Sequence, residues 1–235
     1  MAIWGGLCYK TSKEFNFMSA GIQYLNDIDG QLLLLINNAH NSFFDEFFYT
    51  FSGRHVWIAL YVALIAYCVI RWKAQGLWIV LALIASVVLA DQISAHLIKP
   101  LVCRLRPTHD PILAQYVHLV HEYRGGLYGF VSSHAANCFA IATLTTLFSK
   151  DRLLATTLFT WASINAYSRM YLGVHYPGDI LCGTIIGVLI ALCLYGITKR
   201  WLTYSKANYN NIIKWIIPAT FIATIIIIIL LSALF

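Results

Sequence analysis

Charge is scarce in this chain. Asp, Glu, Lys and Arg make up only 11% of its 235 residues, less than half of the roughly 25% usual in soluble proteins. With 60% hydrophobic residues and a mean hydropathy of +0.70, a water-soluble globule is excluded and an integral membrane protein is implied. Long basic runs are missing as well. The net charge is +6 and the pI about 9.0, yet Lys and Arg stand at the ends of apolar segments, so membrane topology accounts for them and nucleic acid is not expected as a partner. The six cysteines contain no Cys-x-x-Cys pair, and Cys68, Cys182 and Cys193 fall inside apolar runs. Most are therefore expected to be buried free thiols, a Cys103–Cys138 bridge being the alternative. The first seventeen residues lack the basic start, apolar core and cleavage site of a signal peptide, and Met18 opens a stretch that reads equally well as a beginning. Internal repeats and low-complexity linkers are absent too, which leaves one integral membrane domain.

What is present is a succession of apolar stretches. A spanning helix needs about 20 mostly apolar residues, and six candidates emerge at 53–71, 77–98, 134–149, 153–170, 178–198 and 212–234. The expected fold is all-α and polytopic, with about six transmembrane helices. Residues 1–52 are too broken by Asn, His, Asp and Glu for a comfortable span, and are expected to form an interfacial or re-entrant helical segment. A core of five transmembrane helices at 53–198 and a linker with a final helix at 199–235 complete the expected organisation. Trp57, Trp72, Trp78, Trp201 and Trp215 fall near helix ends, as an aromatic belt requires. Arg71 with Lys73, Lys150 with Arg152, and Lys199 and Arg200 with Lys206 occupy three loops on one side, which the positive-inside rule makes cytoplasmic.

Parity then brings three polar clusters together on the opposite face: "KPLVCRLRP" at 99–107, "GFVSSHAAN" at 129–137 and "SRMYLGVHYPGD" at 168–179. So many cationic and imidazole groups with one acid exceed what topology needs, and the excess positive charge wants an anion. A phosphoryl group suits it. Arg106 and Arg169 can offer planar paired donors, Lys99 a compact charge, and the amides near Ser132, Ser133 and His134 a helix N-terminus. His175 precedes Asp179 by four residues, so a carboxylate can hold one ring nitrogen protonated and leave the other as a nucleophilic lone pair. His134, on another helix, is placed as general acid.

Lys99, Arg106-Pro107, Ser132-x-His134, and Ser168-Arg169 with His175 and Asp179 together resemble the three-part signature of the type-2 phosphatidic acid phosphatase superfamily, across residues 99–179. The resemblance implies a metal-independent phosphatase without a cofactor. In it His175 forms a phosphohistidine supported by Asp179, His134 protonates the leaving group, and Lys99, Arg106, Ser132, Ser133 and Arg169 hold the phosphate. The chain departs from the family at Val131-Ser132-Ser133-His134, where Pro-Ser-Gly-His is common; a glycine-only backbone angle there would demand a different phosphate cradle. The "SSHAAN" run resembles a bacterial subset, which implies a multi-pass enzyme of the inner (cytoplasmic) membrane facing the periplasm.

Between the first two motifs, Tyr116, His118, His121, Tyr123, Arg124 and Tyr128 are expected to cap the site and touch a lipid head group, with Gly125-Gly126 as hinge. His118, His121 and Glu122 could face one side of a short helix, but no fourth ligand is suggested, so no metal site is expected. His40, His55, His96 and His109 match nothing in the motifs; polar packing is expected of them, and for Asp91 and His96 an internal contact between helices. The expected partners are the bilayer and a membrane lipid phosphate. Lipid A phosphate or undecaprenyl diphosphate comes first, then phosphatidylglycerol phosphate or phosphatidic acid. A non-enzymatic lipid or anion carrier is the rival from another class, and the His175–Asp179 pair discriminates against it, since binding needs cations but no oriented nucleophile.

Overall fold

The computed structural model describes residues 19–200 and 211–234. The expectations for residues 1–17, Trp201 and Lys206 fall outside that range. Among the described residues the chain is helical with one isolated β-bridge, Leu105 to Tyr128. Two helices come first, α1 (Ser19–Asn37) and α2 (Ser42–Ser52). Then follow α3 (Ile58–Trp72), α4 (Ala74–Asp91), α5 (Ser133–Ser149), α6 (Arg152–Tyr171), α7 (Pro177–Thr198) and α8 (Asn211–Ser232). A helix occupies each of the six predicted stretches. Beyond Asp91, α4 continues through a π-helical turn, Gln92–Ile98, into Lys99–Val102.

Four of these helices, His55–Trp72, Ala74–Val102, Pro177–Thr198 and Ile213–Ser232, are long and apolar enough to cross a membrane. The more polar pair, α5 and α6, lies between them. No residue of α5 is exposed, because α4, α6 and α7 enclose it. Thr143, Thr145 and Ser149 are therefore tolerated on α5: its neighbours are protein, and the pressure toward an all-apolar sequence applies only where lipid is the solvent.

The α5–α7 contact fixes the bundle. A Cβ on Gly187 would stand 2.2 Å from the Ala136 carbonyl oxygen, and one on Gly183 2.5 Å from that of Ser132. Backbone thus meets backbone across a small-xxx-small face. Local capping sets the ends: Asp151 accepts from the Leu153 and Leu154 amides to start α6, and Pro177 takes the first turn of α7, where a missing N–H does no harm.

Arg71, in the last turn of α3, donates to the Ser149 carbonyl at 3.0 Å, so two of the basic connections share one end of the bundle. The motif segments occupy the other. Here α1 packs on α6 and α7, and α2 on α6 and α8, so the N-terminal helical pair is part of the wall beside the motifs.

Several expectations are corrected. Trp57 is no belt residue: it is buried, donates to the Phe51 carbonyl at 2.8 Å and packs on Trp161 and Phe221, whereas Trp78 and Trp215 are exposed. Cys138 is a free buried thiol and Cys103 is disulfide-bonded, so no 103–138 bridge forms. Cys193 is exposed despite its apolar run, since α7 turns that face outward. His96 is likewise exposed instead of turned to another helix, because the π-helical turn adds a residue and rotates the following positions.

Replacing Gly187 by Leu should force α5 and α7 apart. We expect destabilisation on the order of 1–3 kcal/mol, read as a lowered melting temperature in detergent, with Gly196→Leu, which faces open space, unchanged.

Candidate active site

The site is built where three helix ends meet. At the end of α4 the π-helical turn places Lys99, whose ammonium reaches the Ser133 hydroxyl at 3.4 Å; Ser94, from the same turn, donates to that hydroxyl at 2.9 Å. Ser133 is not among the positive-φ residues. An ordinary helical residue therefore fits where the resemblance raised a glycine-only angle, and its hydroxyl is used to hold Lys99. Ser132 caps α5 by accepting from the Ala135 amide at 3.4 Å, and its own amide donates to the Asp179 carbonyl at 3.0 Å. The second and third motifs are thereby tied backbone to backbone.

His175 and Asp179 lie at the start of α7, both buried, with His175 Nδ1 3.2 Å from Asp179 Oδ2. The same oxygen accepts from the Tyr176 amide at 3.1 Å, while Oδ1 accepts from Arg104 at 2.9 Å. Nδ1 thus carries the proton in the tautomer that satisfies the carboxylate, and Nε2 is left as a lone pair. A Cβ on Gly129 would sit 2.8 Å from Asp179 Oδ2, so the carboxylate needs the space a glycine leaves.

Arg106 and Arg169 are both buried. Arg106 donates to the Tyr128 and Val174 carbonyls at 3.2 and 3.3 Å. Arg169 donates to the Ser52 hydroxyl and to Tyr123 Oη at 2.9 Å, and its buried Nε has no partner. Among the described residues neither is ion-paired; the nearby acid, Asp179, is taken by Arg104 and His175. Burying a charge without a counter-charge is costly, so this arrangement is suited to receive an anion.

Electrostatics agree. Burial, then the positive charges of Arg106, Arg169 and Lys99, hold His175 well below the usual histidine range, against a hydrogen bond with the Gly129 backbone that acts in the opposite sense. His175 is neutral at pH 7 and its lone pair is available. Burial also lowers Arg106 to about 10, which leaves it protonated at pH 7. His134, in the first turn of α5, lies within electrostatic reach of Arg169, His175, Arg106 and Lys99. A pocket with a fixed nucleophilic nitrogen, a second imidazole and three cations can transfer a phosphoryl group.

The sequence profile of the PAP2 superfamily matches residues 75–203. The chain belongs to the PAP2 superfamily. It is 41% identical over 171 residues to the lipid A 4'-phosphatase of Bacteroides thetaiotaomicron, covering 71% of this chain and 75% of that protein. With the lipid A 4'-phosphatase of Porphyromonas gingivalis the identity is 31% over 186 residues, covering 77% and 79%. The crystal structure of Aquifex aeolicus LpxE superposes with a TM-score of 0.53 at 26% identity, covering 71% of this chain and 93% of that one. As a PAP2 protein the chain is a membrane lipid phosphatase, a phosphoric ester hydrolase.

The expected cap separates into two parts. Tyr123 reaches Arg169, and Tyr128 supports Arg106 through its carbonyl. Gly125, at φ +67°, admits Arg106, whose Nη1 would lie 2.6 Å from a Cβ there; close approach is therefore the reason for that glycine. The histidines instead dock on α2: His118 pairs with Asp45 at 2.8 Å and His121 with Glu46 at 2.7 Å. His118 also stacks on His40. Arg124 bonds back to the Thr108 carbonyl at 3.5 Å and lies 3.8 Å from Glu122, and Tyr116 is exposed. His118, His121 and Glu122 thus diverge to different partners. Among the described residues the grouping with metal-ligand spacing is His40, Asp45 and His118. Sequence reasoning passed over Ser52 and Asp29 because isolated polar residues in or beside apolar stretches carry no spacing signal, and gave Arg104 no role although it stands in the first polar cluster.

Because His175 is held neutral, the unfolded chain, with an ordinary value near 6.5, binds more protons as pH falls. Stability should be fully present above pH ~6.5 and decline below it by up to about 1.4 kcal/mol per unit. Thermal melts between pH 7.5 and 5 should show this slope reduced in His175→Gln.

Proposed function

We propose that this phosphatase removes a phosphate monoester from lipid A at the exocytoplasmic face of the bacterial inner membrane, through a phosphohistidine on His175. The observation that carries the reading is the pair of buried guanidiniums without a carboxylate partner beside a neutral, carboxylate-oriented imidazole. In the first step Nε2 of His175 attacks phosphorus and the bond to the lipid oxygen breaks. His134 gives that oxygen its proton; the arriving anion offsets the surrounding cations and so favours the protonated ring. In the second step water attacks the phosphohistidine, His134 takes the water's proton, the P–N bond breaks and phosphate leaves. Arg106, Arg169 and Lys99 hold the equatorial oxygens, with Ser133 at the start of α5 beside Lys99.

Lipid A is favoured by the two relatives named for its 4'-phosphatase activity. A sugar phosphate also suits a rim with Tyr123, Arg124 and Tyr128 better than a bare diphosphate does. The basic ends of α3, α4, α5 and α6 lie away from the motifs, which supports an exocytoplasmic site. We assign the catalytic core to 53–198, preceded by α1 and α2 as an interfacial or re-entrant segment and followed by α8 as a last helix.

Purified protein should release phosphate from lipid A faster than from undecaprenyl diphosphate or phosphatidylglycerol phosphate, and EDTA should leave the rate unchanged. His175→Ala should lower turnover by at least about 10³-fold while the protein stays membrane-inserted. Near-normal release by that variant would remove the mechanism, and strict Mg²⁺ dependence would remove the metal-free chemistry.

A further inference from the structure

Beside the His175–Asp179 pair lies a charged cluster whose Asp29 belongs to none of the three motifs and whose Arg104 has no role in the signature they resemble. Arg104 spans two carboxylates: Nη1 donates to Asp179 Oδ1 at 2.9 Å and Nη2 to Asp29 Oδ2 at 2.7 Å. Its guanidinium lies 3.9 Å from the centre of the Tyr176 ring, so the planar group is held on its face as well as at its edge. Asp29 comes from α1, outside the 75–203 stretch matched by the family profile. Its second oxygen accepts from the Gly178 amide, in the first turn of α7, at 2.7 Å. A Cβ on Gly178 would stand 2.8 Å from Asp29 Oδ2. One acid thus holds both Arg104 and the turn that carries Asp179.

We infer that Asp29 and Arg104 are positioning residues for the nucleophile: Asp29 fixes Arg104, and Arg104 fixes the Asp179 carboxylate with Oδ2 toward His175. This rests on the proposed role of His175. As Nε2 gives its electron pair to phosphorus, the ring becomes positive, and Asp179 stabilises that charge only to the extent that its own is not already compensated. Arg104 shares one positive charge between two carboxylates. With Asp29 present, Asp179 keeps part of its negative charge for His175 and is held still. With Asp29 made neutral, Arg104 compensates Asp179 alone and the imidazolium loses support. With Arg104 removed, Asp179 Oδ1 is unpinned. Both changes act on the chemical step, because neither residue is one of the cations assigned to the phosphate.

The test uses the full-length protein in detergent with Asp29→Asn, Arg104→Gln, the double variant, and Gly178→Ala, which displaces the Asp29 carboxylate without removing a charge. On lipid A each single variant should lower kcat about 10–100-fold with KM little changed, and the double variant should be no worse than the poorer single one. Orthovanadate, which bonds to a nucleophilic nitrogen as a phosphoryl mimic, reads the same histidine whatever the lipid: its affinity should weaken about tenfold in all variants while that for inorganic phosphate holds. A raised KM at unchanged kcat, effects that multiply in the double variant, or unaltered vanadate affinity would overturn the inference. A wild-type protein that binds vanadate tightly but leaves lipid A intact would sink the substrate assignment, and the vanadate series would still decide the role of Asp29 and Arg104.

Discussion

Asp179 is the point at which the separate parts of the site are joined. Its carboxylate receives Arg104 from the end of the first motif, His175 from the third and the Tyr176 amide, while its carbonyl receives the Ser132 amide from the second. A fully buried carboxylate is expensive to maintain, and here both of its oxygens are met by donors. Displacing that one group would leave the imidazole without an orienting partner and the start of α5 without its anchor. Much of the surrounding architecture can be understood as what is needed to bring those donors to one place: glycine at 129, proline at 177, and the backbone-close packing of α5 on α7.

The neighbouring guanidiniums follow the opposite rule. Arg106 and Arg169 are supported by carbonyl and hydroxyl groups, which fix their direction without cancelling their charge. Supplying a carboxylate there would have stabilised the empty site and competed with an anionic substrate. Leaving charge uncompensated in the free protein is one way to reserve interaction energy for the bound state.

Much of this was legible in the sequence. Six apolar stretches give the helices, and the spacing of Lys99, Arg106, His134, Arg169, His175 and Asp179 singles out the residues the structure gathers on one end. What was not legible has physical reasons. Trp57 sits near a helix end, as a belt residue would, and only the tertiary contact with Trp161 shows that it points inward. Asp29 lies 150 residues from Asp179 in sequence and has no periodic partner, so its link through Arg104 exists only in three dimensions. The cap divided because His118 and His121 find carboxylates on α2, a preference set by docking geometry that composition does not encode.

The enclosure of α5 bears on how the chain is assembled. Synthesis delivers α5 and α6 before α7, yet α7 covers one side of α5 and meets it through Gly183 and Gly187. Until α7 arrives, a helix bearing Thr143, Thr145 and Asn137 has no protein cover on that flank. The packing around α5 is therefore complete only when α7 is in place, and the same contact joins the Ser132 amide to the Asp179 carbonyl.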